Sequence, residues 1–256
     1  MAKNKILFIV EGESDELKFL KKLLKTCRNK QEYEVYSCKE NIHMLAQELY
    51  KNYPEFDEDD IDIKLILRSI TNDAKRNSLL TQKFKDIYMV FDYEVQHDHP
   101  HFDTVKKMLM YFNDSTTRGK LYINYPMMQS FKHFYSLPDS SFRDRKVHIN
   151  DVKRYKESVA DYSGFTDLTR YNALTFYSLA THHIRKGNYI LSGKYIEPTI
   201  EEYLNWDQVD IFNYQCDMVK MEQNLYVLNT SIYMLIDFAP KAFFDFIKRH
   251  ALELQI

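Results

Sequence analysis

A chain of 256 residues with a formal net charge of −2 is long enough for one large domain, or for a domain of about 150 residues with a sizeable second lobe. Five glycines and six prolines against twenty tyrosines and seventeen phenylalanines exclude a low-complexity or disordered chain. The near-neutral balance gives no global signal for nucleic acid, so any such partner must be argued from local charge.

Cys27, Cys38 and Cys216 are odd in number and share no metal-ligand spacing, which speaks against a disulfide framework and for reduced thiols. The N-terminal apolar run is too short and too quickly acidic for a signal peptide, and no segment approaches the ~20 apolar residues of a membrane span. A soluble, cytoplasmic protein without membrane contact is expected.

In chain order, the run Lys5 to Val10 reads as a strand that ends in Glu11-Gly12-Glu13-Ser14-Asp15. From Ser14 to Cys27, Leu17, Leu20, Leu23 and Leu24 recur at helical spacing, with Ser14 or Asp15 available as N-cap. Tyr33 to Cys38 alternates weakly as a second strand, and Asn41 to Tyr53 reads as a helix that Pro54 ends. Residues 55 to 84 form an insertion, acidic from Glu55 to Asp62 and helical afterwards. Strand 86 to 94 ends in Asp92-Tyr93-Glu94, and a histidine-rich turn, Gln96 to His101, leads into a helix from Phe102 to about Asn113. A strand from Leu121 to Tyr125 completes an alternation of strands and helices, which implies a largely parallel sheet with right-handed crossovers. Past Pro138 the pattern is of helices without clear strands, so the expected division is 1 to 137 and a mainly helical lobe over 138 to 256. The apolar run from Leu225 to Phe246 is expected in the core, with an oligomer interface as the alternative.

In an open α/β sheet, side chains at the carboxyl ends of neighbouring strands converge on one crevice. Glu11, Asp92 and Glu94 are therefore candidates to meet, and convergent carboxylates are how proteins hold magnesium. Gly12 lets the backbone turn sharply beside them. Asp15 favours a helix N-terminus through the helix dipole, with capping as its expected role and metal binding as a second one. Three histidines at i, i+2 and i+4 with Asp98 form a candidate transition-metal cluster or, alternatively, a solvated loop.

The pair of motifs Ile9-Val10-Glu11-Gly12 and Asp92-Tyr93-Glu94, each at the exit of a predicted strand, resembles the Toprim domain. Glu13-Ser14-Asp15 extends the likeness to nuclease-type members of the OLD and PARIS kind. The resemblance covers roughly residues 4 to 135. It implies a Toprim-like sheet flanked by helices, with Mg²⁺ or Mn²⁺ held by Asp92 and Glu94, while Glu11 ligates metal or acts as general acid or base. It also implies a metal-dependent nuclease of RNA such as tRNA, or of DNA, that serves as the toxic effector of an anti-phage defence system under a separate ABC-type ATPase. The alternative is a Toprim module that has lost catalysis and binds nucleic acid or a partner protein.

Two departures bear on the choice. The second acid of the metal pair is Glu94 rather than Asp, and Gln129 stands where such nucleases place a further acid after the next strand. A neutral amide supplies no charge to a second metal, which leaves a natural one-metal or weakened site, or a Glu-to-Gln replacement introduced into the chain, or a first-turn helix residue outside the site. The chain has no glycine-rich phosphate loop, so ATP-driven control would come from a partner.

Between Lys132 and Lys194 eleven basic residues face six acidic ones, with Phe131, Phe134, Tyr135, Phe142, Tyr155, Tyr162, Tyr171 and Tyr177 interleaved. Lys132, Arg143, Arg145, Lys146, Lys153 and Arg154, together with Gly12, are the candidate substrate contacts. Basic groups tracking phosphates beside stacking aromatics suit single-stranded nucleic acid, and the same residues also describe an ordinary amphipathic lobe. A homo-oligomer is compatible with either.

Overall fold

The computed structural model describes residues 5 to 254, apart from 29, 55, 57 to 60, 72 and 95 to 101. The histidine cluster of 97 to 101 and most of the acidic run 55 to 62 therefore lie outside the described residues.

Five strands form the main sheet: β1 (Lys5–Val10), β2 (Glu32–Ser37), β3 (Asp86–Asp92), β4 (Asn113–Asp114) and β5 (Gly119–Asn124). Their order is β2-β1-β3-β5-β4, parallel throughout except for the two-residue β4. The fold is thus α/β with a mostly parallel sheet. The residues at the centre of β1 and β3 are buried on both faces, which is why Ile6 to Val10 and Tyr88 to Phe91 read as nearly unbroken apolar runs.

Because β2 lies on one side of β1 and β3 on the other, right-handed crossovers put the first helix on one face of the sheet and the following ones on the other. That first helix is α1 (Asp15–Cys27), while α2 (Ile42–Asn52), α3 (Ile63–Ile70), α4 (Ala74–Leu80) and α5 (Phe102–Tyr111) share the opposite face, where α2 packs on α5. Asn41, Asp62 and Asp73 cap α2, α3 and α4 through their side chains. Ser14 makes no such bond at α1, and Asp15 is already the first helical residue, so neither residue is the side-chain cap that the sequence suggests.

After β5 a 3-10 turn, Met128–Lys132, carries Gln129. The rest of the chain comprises β6 (Lys146–His148), α6 (Tyr155–Tyr162), α7 (Ala173–Ser192), α8 (Ile200–Leu204), α9 (Gln208–Glu222), β7 (Asn224–Tyr226), α10 (Met234–Asp237), α11 (Pro240–Arg249) and α12 (Ala251–Leu254). The antiparallel β6–β7 ribbon departs from the expectation of a strand-free second half. Its strands are three residues each, too short to show an alternating pattern. The long α7 ends at Gly193, whose φ of 75° is the left-handed C-cap that glycine adopts without strain.

The expected core run is core. Leu225, Leu228, Ile232, Leu235, Ile236 and Phe243 are buried in one hydrophobic cluster shared with the sheet. Backbone bonds in both directions join Leu228 to Tyr125, and Thr230 donates its hydroxyl to the Ile123 carbonyl at 2.9 Å. Asn229 donates to the Met128 carbonyl at 3.1 Å. The C-terminal segment thereby pins the end of β5 and the turn bearing Gln129. Among the described residues no helix is long and apolar enough to cross a membrane, and the three cysteines are free thiols.

Candidate acidic site

The strand order places a topological switch point between β1 and β3, and ligand crevices of open α/β sheets lie outside the carboxyl ends of strands at such points. Register decides what converges there. Val10 pairs with Val90, so the next residue, Glu11, leaves β1 level with the end of β3 and donates its amide to the Val90 carbonyl at 3.2 Å. Its carboxylate Oε2 accepts the Asp92 amide at 3.2 Å. The two motifs that the sequence singled out are therefore in contact.

A third carboxylate, Glu16 in the first turn of α1, is 9 % exposed and folds back over Gly12. A Cβ at position 12 would lie 2.7 Å from its Oε2, so the Glu16 carboxylate takes this position only over a residue without a side chain and would have to shift for any other. Asp92 is half-buried as a residue, but protein atoms crowd its carboxyl, and the nearby Asn124 side chain and Met128 amide work against the rise that burial causes in it. Asn124 ends β5 directly opposite Asp92. Glu94 is half-buried, and its carbonyl lies 3.3 Å from His43 Nε2.

Burial and mutual repulsion act together on these acids. Burial pushes the Glu11 carboxyl up to about 7, with the Asp92 amide opposing the rise and the charges of Glu94 and Glu16 adding to it. Burial first, then Glu11 and Glu16, raise Asp92 well above the carboxylate range. Burial and Asp15 raise Glu16. At neutral pH this crevice holds protons that exposed acids would have lost.

An all-oxygen donor set whose members repel one another suits a hard divalent cation, which would relieve that repulsion. As the side chains stand, however, no three His, Cys, Asp or Glu groups among the described residues converge closely enough to hold a metal ion. Glu11 is turned to the Asp92 amide, and Glu16 to Gly12. The donors fit the ion in kind rather than in their present rotamers.

Asp15 and Gln129 do not join the other acids. Gln129, 6 % exposed, donates its side-chain amide to Asp15 Oδ2 at 2.6 Å, and the same oxygen receives the Lys156 ammonium at 2.6 Å. Burial works to raise the Asp15 carboxyl, but Lys156, Gln129 and Lys132 outweigh it and hold it below its ordinary value. Lys132 lies within electrostatic reach of Asp15, Lys156 and Lys18, and burial with those like charges lowers its ammonium against the pull of Asp15.

The remaining basic candidates have varied surroundings. Arg145 directs its guanidinium into the protein, donating to the His133 carbonyl, Asp139, Ser141 and Tyr162 at 2.6 to 2.9 Å. Arg143 is exposed and paired with Asp144, Lys146 with Glu222, and Arg154 with Glu157 at 3.8 Å, while Lys153 is exposed. Of the interleaved aromatics, Phe131, Phe134, Phe142, Tyr155 and Tyr171 are core residues, whereas Tyr135 and Tyr162 are exposed. Most of that pattern is packing. His182 and His183 are buried in α7, where His183 Nδ1 accepts the Asn229 amide at 3.1 Å.

Glu16, Asn124, Lys18 and Lys156 belong around this crevice although sequence reasoning did not place them there. A polar residue at a strand exit was the available signal for Asn124. Glu16 had none, because its return over Gly12 is set by the turn and not by any spacing.

No protein-family model, curated protein or solved structure matches this chain. Its function is therefore argued from the site.

Proposed function

We propose that this protein is a metal-dependent nuclease on a Toprim-like sheet, hydrolysing phosphodiester bonds of RNA such as tRNA, or of DNA. One observation carries the reading: Glu11 and Asp92 meet across the switch point of a parallel sheet, with the Glu11 carboxylate 3.2 Å from the Asp92 amide. Asp92 and Glu94, assisted by Glu11 and Glu16, are the residues that would hold Mg²⁺ or Mn²⁺. Such an ion, when bound, offsets charge on the scissile phosphate and acidifies the attacking water.

The chain's own contribution is proton handling and positioning. Glu11, whose carboxylate accepts the Asp92 amide at 3.2 Å, stands where it would ligate the ion or take a proton from the attacking water. Asn124, paired with Asp92 at the end of the neighbouring strand, is the polar neighbour that would help to position the Asp92 carboxyl. By the same resemblance, the protein acts in the cytoplasm as a toxic anti-phage effector, held in check by a separate ABC-type ATPase. An ABC-type ATPase gene beside this one, and co-purification of the two products, test that part.

The direct test incubates the protein with tRNA and with plasmid DNA in Mg²⁺ or Mn²⁺. Cleavage that Glu11→Gln and Asp92→Asn both abolish supports the proposal. No cleavage of either substrate by the unaltered protein refutes it.

A second reading has its own observation. Gln129 is spent on Asp15 and, among the described residues, no three acids converge in their present rotamers, which favours a Toprim-like module that binds nucleic acid or a partner without catalysis. In that case Glu11→Ala leaves binding undiminished and no metal supports cleavage.

A further inference from the structure

We infer that Asp15, held by Gln129, is the counter-ion that gathers Lys18, Lys132 and Lys156 into a phosphate-binding lip beside the acid crevice. The inference rests on the nucleic-acid reading above and says where the backbone flanking the reacting phosphate is held.

The three lysines come from different elements: Lys18 from α1, Lys132 from the 3-10 turn and Lys156 from α6. Lys18 and Lys156 are exposed and Lys132 is half-buried; Lys156 bonds the Asp15 carboxylate at 2.6 Å, Lys132 lies within electrostatic reach of that carboxylate, and Lys18 within reach of Lys132. One aspartate cannot neutralise three ammonium groups, so the lip keeps a net positive charge. It adjoins Glu16 through Asp15, the preceding residue, and Lys156 also acts electrostatically on Glu16. Negative crevice and positive lip are thus neighbours across the first turn of α1. A phosphodiester chain carries one negative charge per nucleotide and gains most where ammonium groups replace its counter-ions.

This arrangement gives Gln129 a role that a glutamate could not fill. Its amide nitrogen donates to Asp15 Oδ2 at 2.6 Å. A carboxylate in its place would face Asp15 oxygen to oxygen, and that repulsion would drive Asp15 off its position or draw the lysines inward. Gln129 is then a positioning residue acting through Asp15, rather than a vacated second metal ligand.

The test measures binding of a 20-nucleotide single-stranded RNA and its DNA counterpart by fluorescence anisotropy across a salt series, without divalent cation. Lys132→Gln and Lys156→Gln are each expected to reduce the slope of log K against log salt by roughly 0.7, the value of one phosphate contact on a single strand. Lys51→Gln, an exposed lysine on α2, leaves the slope unchanged. Gln129→Glu is expected to weaken binding about tenfold with no gain in Mg²⁺-dependent cleavage.

An unchanged slope in the Lys132→Gln, Lys156→Gln double variant overturns the inference, as does failure of the unaltered protein to bind either oligonucleotide. Tighter binding or new cleavage in Gln129→Glu also overturns it, by returning that position to the metal site. Should Gln129→Glu fail to fold, the exposed Lys156 still decides. Loss of cleavage in Glu11→Gln with unaltered slopes in the lysine variants refutes the lip alone, whereas reduced slopes without any cleavage refute the nuclease reading alone.

Discussion

Replacing Glu11 with glutamine should stabilise the protein in alkaline, metal-free buffer. Glutamine keeps a carbonyl oxygen to accept the Asp92 amide but cannot ionise. Glu11 titrates at about 7 in the fold against 4.5 when unfolded, so the folded state binds its proton more tightly. Its stabilising share is complete below about pH 4.5, falls as pH rises through the interval to 7, and is flat above. At about 1.4 kcal/mol per pH unit the full loss is about 3 kcal/mol, part of it shared with Asp92, whose proton is coupled to the same crevice. The glutamine variant should match the unaltered protein at pH 4.5 and exceed it at pH 8 by about 2 to 3 kcal/mol. For a chain of this size that is roughly 5 to 10 °C in Tm. Urea and thermal unfolding with EDTA at the two pH values measure it. A difference that is the same at both, or a less stable variant at pH 8, would refute the picture of repelling, buried acids. Adding Mg²⁺ at pH 8 should stabilise the unaltered protein more than the variant, by up to about 3 kcal/mol at a hundredfold excess over Kd, and its Tm should rise accordingly.

Gly12→Ala should leave the protein folded while displacing the Glu16 carboxylate, whose oxygen lies 2.7 Å from the new Cβ. A diminished Mg²⁺-induced thermal shift is the readout. Gly187→Ala meets the Tyr233 hydroxyl at 2.5 Å and the Trp206 ring at 2.9 Å in a packed interior, so unfolding in urea should show a loss of roughly 1 to 3 kcal/mol. Asn229→Ala removes the donor to the Met128 carbonyl and the acceptor for the Ser231 hydroxyl and the Ile232 amide, and should cost about 2 to 4 kcal/mol in the same assay.

Local patterns made much of the framework legible. The apolar run into Glu11-Gly12, the second run into Asp92, and the 3.6-residue recurrence of Leu17, Leu20 and Leu24 reflect burial of strands and of one helix face. Burial of that kind writes itself into neighbouring residues. Convergence of Glu11 with Asp92 was likewise foreseeable, because strand exits in a parallel sheet share one edge.

Other features have no local signature. Gln129 and Asp15 are 114 positions apart and meet only because the C-terminal segment pins the turn after β5 against α1 and α7. Arg145 looks like any exposed arginine until Asp139, Ser141, Tyr162 and the His133 carbonyl are found around it. Phe131, Phe134 and Phe142 could have been stacking surfaces, and packing made them core. Sequence by itself determined the strands, the helix faces and the two acids at one sheet edge, since each depends on neighbours along the chain. The charge around those acids, from buried Glu16 to the lysines about Asp15, was decided by tertiary structure alone, because the field at a carboxylate depends on distance through space.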